Sequence, residues 1–241
     1  MSFFMNNNTG LDKSIQHIGV LMEKFDTSIY PIYQLPLGYK FISYQKGIEK
    51  EWAKLQFATG QVDTILEAET AFQKEFLNGK NMNWNKKEYV PLLTNERKSS
   101  PFYKEIHKKM VFIIDSKSEL VATGCIWNGR IFGDDRIRLH WIAVSPNHQG
   151  KGLAKALVTR LLELYNEFDY SGYLYLTSQT WSCRALNIYM KFGFKPYFGE
   201  KPKNWLAVNL TSGNFEPWNY EEKNKEAWEI IYNKISLYEA N

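Results

Sequence analysis

The sequence predicts a mixed α/β domain, a sheet with both parallel and antiparallel neighbours covered by helices. Three stretches predict it. Leu139 to Glu163, LHWIAVSPNHQGKGLAKALVTRLLE, reads as a strand, a turn, a glycine loop and a long helix. Met110 to Ile114 and Glu119 to Trp127 read as two strands of a hairpin turned at Asp115-Ser116-Lys117. Gly172 to Thr177, GYLYLT, follows the long helix, and a strand reached through a helix runs parallel to the one before it.

Length and composition bound the function classes. A chain of 241 residues builds one sizeable core, or one domain with extensions. With 44% hydrophobic and 23% charged residues, its composition is that of a soluble globular protein. The 8 Trp, 15 Tyr and 15 Phe fill a core or line an acceptor pocket. A net charge of +4 without a Lys/Arg-dense block gives no sign of a nucleic-acid surface, and it suits an anionic cofactor. Two cysteines, Cys125 and Cys183, are too few for a disulfide scaffold and match a reducing cytosol. No apolar run reaches the roughly 18 residues of a membrane span. MSFFMNNNTG carries no export signal. The expectations are a cytoplasmic location, no membrane partner and no nucleic-acid partner.

Residues 1–36 read as an N-terminal extension whose first dozen residues fray. Within it Ile18 to Met22 is a short strand, and Pro31 and Pro36 punctuate the stretch after it. Gly38 to Tyr44 alternates as the first full strand. Ile48, Trp52 and Leu55 give a first helix its apolar stripe. Thr64 caps a second helix with Ile65, Ala68, Phe72 and Phe76 on one face. Residues 78–107 are polar and irregular, longer than a usual connection, and carry Pro91 and Pro101. This insertion either folds over an acceptor site or is a surface loop. In the hairpin, Cys125 reads as a small buried hydrophobe. Asn128 to Asp135 is the next turn.

In the central stretch Leu139, Trp141 and Ala143 alternate with His140, Ile142 and Val144, so both faces are largely apolar and the strand is covered on both sides. Ser145, Pro146 and Asn147 stop it. Leu153, Leu157, Leu161, Leu164 and Phe168 then recur at helical spacing. Between strand and helix, Gly150 and Gly152 let backbone N–H groups approach a ligand, and the helix N-terminus favours an anion. Lys151 adds positive charge. The pattern predicts a phosphate or pyrophosphate site. A Walker A loop needs Ser or Thr after the lysine, but Gly152 follows Lys151. A dinucleotide loop needs a third glycine where Lys155 stands.

Beyond Gly172 to Thr177, Ser182 caps a helix with Ala185, Ile188, Tyr189 and Phe192 on its apolar face and Arg184, Asn187 and Lys191 on the other. Gly193 ends it. Phe194 to Phe198 and Trp205 to Leu210 read as closing strands. From Tyr220 the spacing of Ala227, Ile230, Ile231 and Ile235 predicts a helix that packs on the domain or mediates a dimer.

Gln149 to Ala154, preceded by Ile-Ala-Val-Ser-Pro, resembles the Gln/Arg-x-x-Gly-x-Gly/Ala signature of the GCN5-related N-acetyltransferase (GNAT) superfamily. Ala185 to Tyr197, ALNIYMKFGFKPY, resembles its second hallmark, and Leu35 to Ala58 resembles the opening of bacterial members. The resemblance implies the GNAT fold, a mixed sheet of six to seven strands flanked by helices and splayed between the fourth and fifth strands. The domain is expected over 37–210, with 78–107 inserted, 1–36 as extension and 211–241 as a helical tail. It implies acetyl-coenzyme A as cosubstrate, no metal, and direct transfer to a primary amine, expected on a small molecule. The protein is expected to be a monomer or homodimer. A peptide or protein amine as acceptor, and a non-catalytic acyl-coenzyme A sensor, stand as alternatives.

Residue by residue, the resemblance assigns the pyrophosphate to Gln149, Gly150, Lys151, Gly152, Leu153 and Ala154. It assigns the pantetheine arm to the main chain of Ile142, Ala143 and Val144 and to the Asn187 amide. Tyr189 is the implied acid for the departing thiolate, since a phenol stays protonated at neutral pH. Its apolar helix face equally suits a core tyrosine. His140 is the implied base, because LHWIAV resembles the matching strand of the arylalkylamine N-acetyltransferases and histidine titrates near neutrality. A packed histidine is the other reading. Cys183, at a helix N-terminus, would serve an acetyl-cysteine relay, which direct transfer does not need. The four histidines and two cysteines form no metal-ligand pattern.

Overall fold

The computed structural model describes residues 9–77, 103–168, 170, 172–205 and 219–239. The strands are β1 (Gly19–Lys24), β2 (Lys40–Ile42), β3 (Met110–Ile114), β4 (Leu120–Gly129), β5 (Arg136–Val144), β6 (Leu174–Gln179) and β7 (Lys195–Pro196). The helices are α1 (Ile48–Ala58), α2 (Ile65–Ala71), α3 (Tyr103–Lys109), α4 (Leu153–Glu167), α5 (Cys183–Lys191) and α6 (Tyr220–Glu239). The strands form one seven-stranded sheet in the order β2-β3-β4-β5-β6-β1-β7. β5 and β6 run parallel, while β1–β6, β1–β7, β2–β3 and β3–β4 run antiparallel. This is the mixed α/β class the hairpin and the helix-linked strand predict. The parallel pairing of β5 and β6 is confined to Arg138–Tyr175 and Leu139–Leu176. The chain packs as two compact units. Tyr33–Cys125 and Trp141–Leu161 make the body of one, and Gly10–Ile32, Ile126–His140 and Leu162 onward make the other.

In the first unit β3 and β4 form the expected hairpin, with Met110 opposite Cys125. Asp115 turns it, its Oδ1 accepting the N–H of Lys117 and of Glu119, each at 2.9 Å, as Asp does in turns. These N–H groups, that of Glu119 foremost, hold its carboxyl below the usual carboxylate range. Cys125 is fully buried. A Cβ on Gly124 would lie 3.0 Å from Ile142 and 3.1 Å from Leu161, so glycine lets α4 settle closely on the sheet. The expected strand Gly38 to Tyr44 contracts to Lys40–Ile42, which lies at the edge of the sheet and pairs with β3. Tyr44 instead turns into the core. There Trp52 meets Phe72 and Phe76 at centroid distances of 5.1 and 5.8 Å. Phe72–Leu77 is a π-helical turn continuing α2. Ile65, expected on the same apolar face, is 39% exposed. As the first residue of α2, it stands beyond the edge of the packed stripe.

Thr64 caps α2 as expected, accepting the Glu67 N–H at 3.1 Å. Thr64→Ala is expected to cost about 1 kcal/mol of stability. Urea unfolding checks this, and an unchanged midpoint would show that the cap contributes nothing.

In the second unit β1 pairs with β6 from Gly19–Gln179 to Lys24–Leu174, and with β7 through Met22–Pro196 and Glu23–Lys195. The segment read as part of an extension is therefore an interior strand, with Val20, Leu21 and Met22 fully buried. Its start is anchored by Thr180, whose N–H donates to Ile18 O at 2.9 Å and whose Oγ1 accepts from Ile18 N at 3.0 Å. The closing strand expected at Phe194 to Phe198 shrinks to two residues, because Pro196 has no N–H to extend the ladder. Of the other, Trp205 to Leu210, all but Trp205 lies outside the described residues, as does the insertion 78–107 up to Phe102.

Ser182 precedes α5 but makes no capping bond. Its Oγ instead accepts from Gln179 Nε2 at 3.0 Å. The buried face of α5 carries Cys183, Leu186, Tyr189 and Phe192, with Ala185 and Ile188 half-buried. Leu186 hides more apolar surface than Ala185, which decides the rotation against the expected face. Gly193 ends the helix at φ +85°, as expected. α6 contacts α5 and β1, burying Ala227, Trp228, Ile231 and Ile235, while Ile230 is half-buried.

Asp12 and Lys234 form an ion pair at 2.8 Å that ties the early chain to α6. The Lys234 hydrogen bond, then that of Ser14, lowers the Asp12 carboxyl to about 2. A depressed folded pKa contributes stability above the unfolded value, and this is lost as pH falls through the folded one. Asp12→Asn is expected to destabilise by under about 1 kcal/mol at neutral pH. The difference from wild type should shrink below pH ~4, the unfolded value for Asp. Thermal midpoints of both proteins across that range check this, and a difference independent of pH would refute it.

Candidate functional site

The end of β5, the loop after it and the start of α4 belong to the first unit. Trp141 has φ +50°, a left-handed conformation rare for a bulky residue and costing roughly 1–2 kcal/mol. Contacts with described residues hold it. Its carbonyl accepts from Gln56 Nε2 at 3.3 Å, its Nε1 donates to Glu75 Oε2 at 2.9 Å, and its ring meets Trp52 edge-on at 5.1 Å. The simple alternation expected along the strand breaks here. Leu139 and Ala143 are buried while Trp141 is half-buried. His140 therefore does not inherit the face of Ile142 and Val144 by alternation alone. The Ile142 side chain converges with Leu157 and Leu161 on Gly124, which leaves its main chain as what it can offer a ligand. The Val144 carbonyl already accepts from Gln149 Nε2 at 3.2 Å.

Pro146–His148 form a single 3-10 turn, closed by His148 N donating to Ser145 O at 2.8 Å. His148 Nδ1 is hydrogen-bonded to the Tyr39 hydroxyl at 3.0 Å. Gly150 and Gly152 then take φ +75° and +87°, the left-handed region glycine tolerates. Among the described residues, nothing lies within 4 Å of where a Gly150 Cβ would be, and at Gly152 only Pro36 Cγ does, at 3.8 Å. Both glycines and Lys151 are exposed. Leu153 turns its side chain inward at 1% exposure, so it and half-buried Ala154 can serve an anion only through their N–H groups. α4 runs 15 residues with no acidic residue in its first turn. Its first N–H groups have no acceptor within the helix, and its dipole favours negative charge there. The geometry fits a pyrophosphate. Gln149 supports the loop through its side chain, which also donates to Thr9 O at 3.2 Å.

The remaining candidates lie in the second unit. His140 Nε2 is 3.1 Å from Arg138 Nη2. Guanidinium only donates, so Nε2 must accept and the proton of the neutral ring sits on Nδ1. A base role for His140 therefore requires Arg138 to release that lone pair. Tyr189 is 8% exposed, with its ring against Phe194 at 6.1 Å. Burial pushes its phenol far above the ordinary value. Its hydroxyl and the Asn187 amide make no hydrogen bond among the described residues. Cys183 is buried, donates to Thr180 O at 2.9 Å, and has its thiol pKa raised by burial. That environment opposes the thiolate an acetyl-cysteine relay needs. Among the described residues no three His, Cys, Asp or Glu side chains gather as a metal set, and no helix is long and apolar enough to cross a membrane. Sequence reasoning missed Gln56 and Glu75, since no local periodicity marks either as meeting Trp141.

A mixed sheet whose central strand ends in an open glycine loop at a helix N-terminus defines an α/β domain that leaves room for a ligand at that end. The model of the Acetyltransferase (GNAT) family matches residues 78–194, and GNAT is the family that both motifs indicate. Among solved structures, a GCN5-related N-acetyltransferase from Sphaerobacter thermophilus is 14% identical with a TM-score of 0.48, over 76% of this chain and 49% of that one. One from Kribbella flavida is 13% identical at 0.42, over 75% and 56%. The glucosamine-6-phosphate N-acetyltransferase from Arabidopsis thaliana is 15% identical at 0.39, over 68% and 97%. The chain spans about half the length of the first two. At these values the likenesses decide neither substrate nor mechanism. No curated protein matches the sequence.

Proposed function

We propose that this protein transfers the acetyl group of acetyl-coenzyme A directly to a primary amine of a small molecule, without a metal. The observation that carries this is the open loop at Gly150 and Gly152 leading into α4. When bound, acetyl-coenzyme A supplies the thioester that the amine attacks. Main-chain N–H groups from Gly150 to Ala154 bind its pyrophosphate, with Lys151 adding charge. The main chain of Ile142 and Ala143 is offered to the pantetheine amides, as is the Asn187 side chain. Tyr189 holds a proton for the departing sulfur, and His140 takes the proton the attacking nitrogen loses, once Arg138 releases its Nε2.

Calorimetry with coenzyme A, followed by thiol release from acetyl-coenzyme A against a panel of primary amines, tests this. Binding together with amine-dependent release is expected. Binding with no release for any amine would leave an acyl-coenzyme A sensor, and no binding would overturn both readings.

A further inference from the structure

We infer that the acceptor amine is recognised by a buried polar cluster gathered on Trp141, with Gln56 from α1 and Glu75 from the π-helical turn as its ligands. This rests on the reading of the protein as an acetyltransferase. Gln56 is fully buried, and donation from its Nε2 to Trp141 O fixes the orientation of its amide. Its Oε1 is thereby committed as an acceptor, and it has no hydrogen-bond partner. A buried acceptor left open is costly and calls for a donor. Glu75, 6% exposed, accepts the indole N–H of Trp141 through Oε2. Trp52, one helical turn before Gln56, lays its ring edge-on to Trp141. Among the described residues, Gln56 Oε1 is therefore the acceptor of this cluster that stands open.

The backbone is irregular on both sides of this cluster. Glu75 sits in a π-helical turn, a feature frequent at functional sites. Trp141 is strained into the left-handed region, and such strain persists where the surroundings over-determine it. An amide oxygen and a carboxylate among indole rings match a compact cation that brings several N–H donors. Indole faces attract the same charge. A primary ammonium has this chemistry. Held at Trp141, it stands beside Ile142 and Ala143, whose main chain is offered to acetyl-coenzyme A.

The test uses the full chain with n-butylamine, 2-phenylethylamine and putrescine as probes. Each amine is titrated calorimetrically into protein saturated with coenzyme A, and its KM and kcat are measured with acetyl-coenzyme A. Glu75→Gln and Gln56→Met are each expected to weaken amine binding and raise KM about tenfold or more, the size of one or two lost hydrogen bonds to charge. Coenzyme A affinity should stay at the wild-type value. Gln56→Met removes an open acceptor but also the Nε2 donation to Trp141 O, so its thermal midpoint is expected to fall modestly; it keeps the test alive if Glu75→Gln misfolds. Unchanged amine binding and KM in either folded variant would overturn the inference. So would a wild-type protein that binds coenzyme A and none of the three amines. Failure of the wild type to bind coenzyme A would bring the transferase reading down first, and this inference with it.

Discussion

Gly152→Glu is expected to abolish coenzyme A binding while the fold survives. At φ +87° any side chain strains the backbone, at roughly 1–2 kcal/mol. Among the described residues the added Cβ meets only Pro36 Cγ, at ordinary contact distance, so these add no packing strain. A carboxylate at the start of α4 even gains a little from the helix dipole. The same charge stands where the pyrophosphate is proposed to lie. Like charges about 4 Å apart near a protein surface repel by roughly 4 kcal/mol, on the order of a 10³-fold loss of affinity. Calorimetry reads the loss, and circular dichroism reads the fold. Gly152→Ala separates the two effects, since it strains the backbone without adding charge and should bind with intermediate affinity. Wild-type affinity in the Glu variant would reduce the loop to a plain strand–helix connection.

Tyr189→Phe is expected to lower turnover by about 10² to 10⁴, the usual contribution of a positioned acid, with little change in stability. The substitution keeps the ring that packs against Phe194 and removes a hydroxyl that makes no hydrogen bond among the described residues. Burial raises the phenol so far that it stays protonated through the ordinary working range. The acid should therefore add no alkaline limb to the pH profile of the wild type. A variant that turns over at the wild-type rate with chemistry limiting would make Tyr189 a core residue. An alkaline limb that disappears in Tyr189→Phe would contradict the raised phenol.

What the sequence by itself determined here rests on short-range chemistry. The glycine loop follows from two residues that tolerate positive φ, placed after a proline and before apolar residues at helical spacing. The β3–β4 hairpin follows from Asp115 bonding the N–H groups two and four residues on. The cap at Thr64 and the stop at Gly193 need only their immediate neighbours. The parallel run of β6 follows from the helix that leads to it. Tertiary structure alone decided the place of β1 inside the sheet, because its partners lie in β6 and β7, on the far side of the chain. It also decided the rotation of α5 toward Leu186, the left-handed turn at Trp141, and the meeting of Gln56 and Glu75 on that residue. Each depends on groups distant in sequence. Periodicity reports which face of an element is apolar, but not which buried polar group will find its partner there.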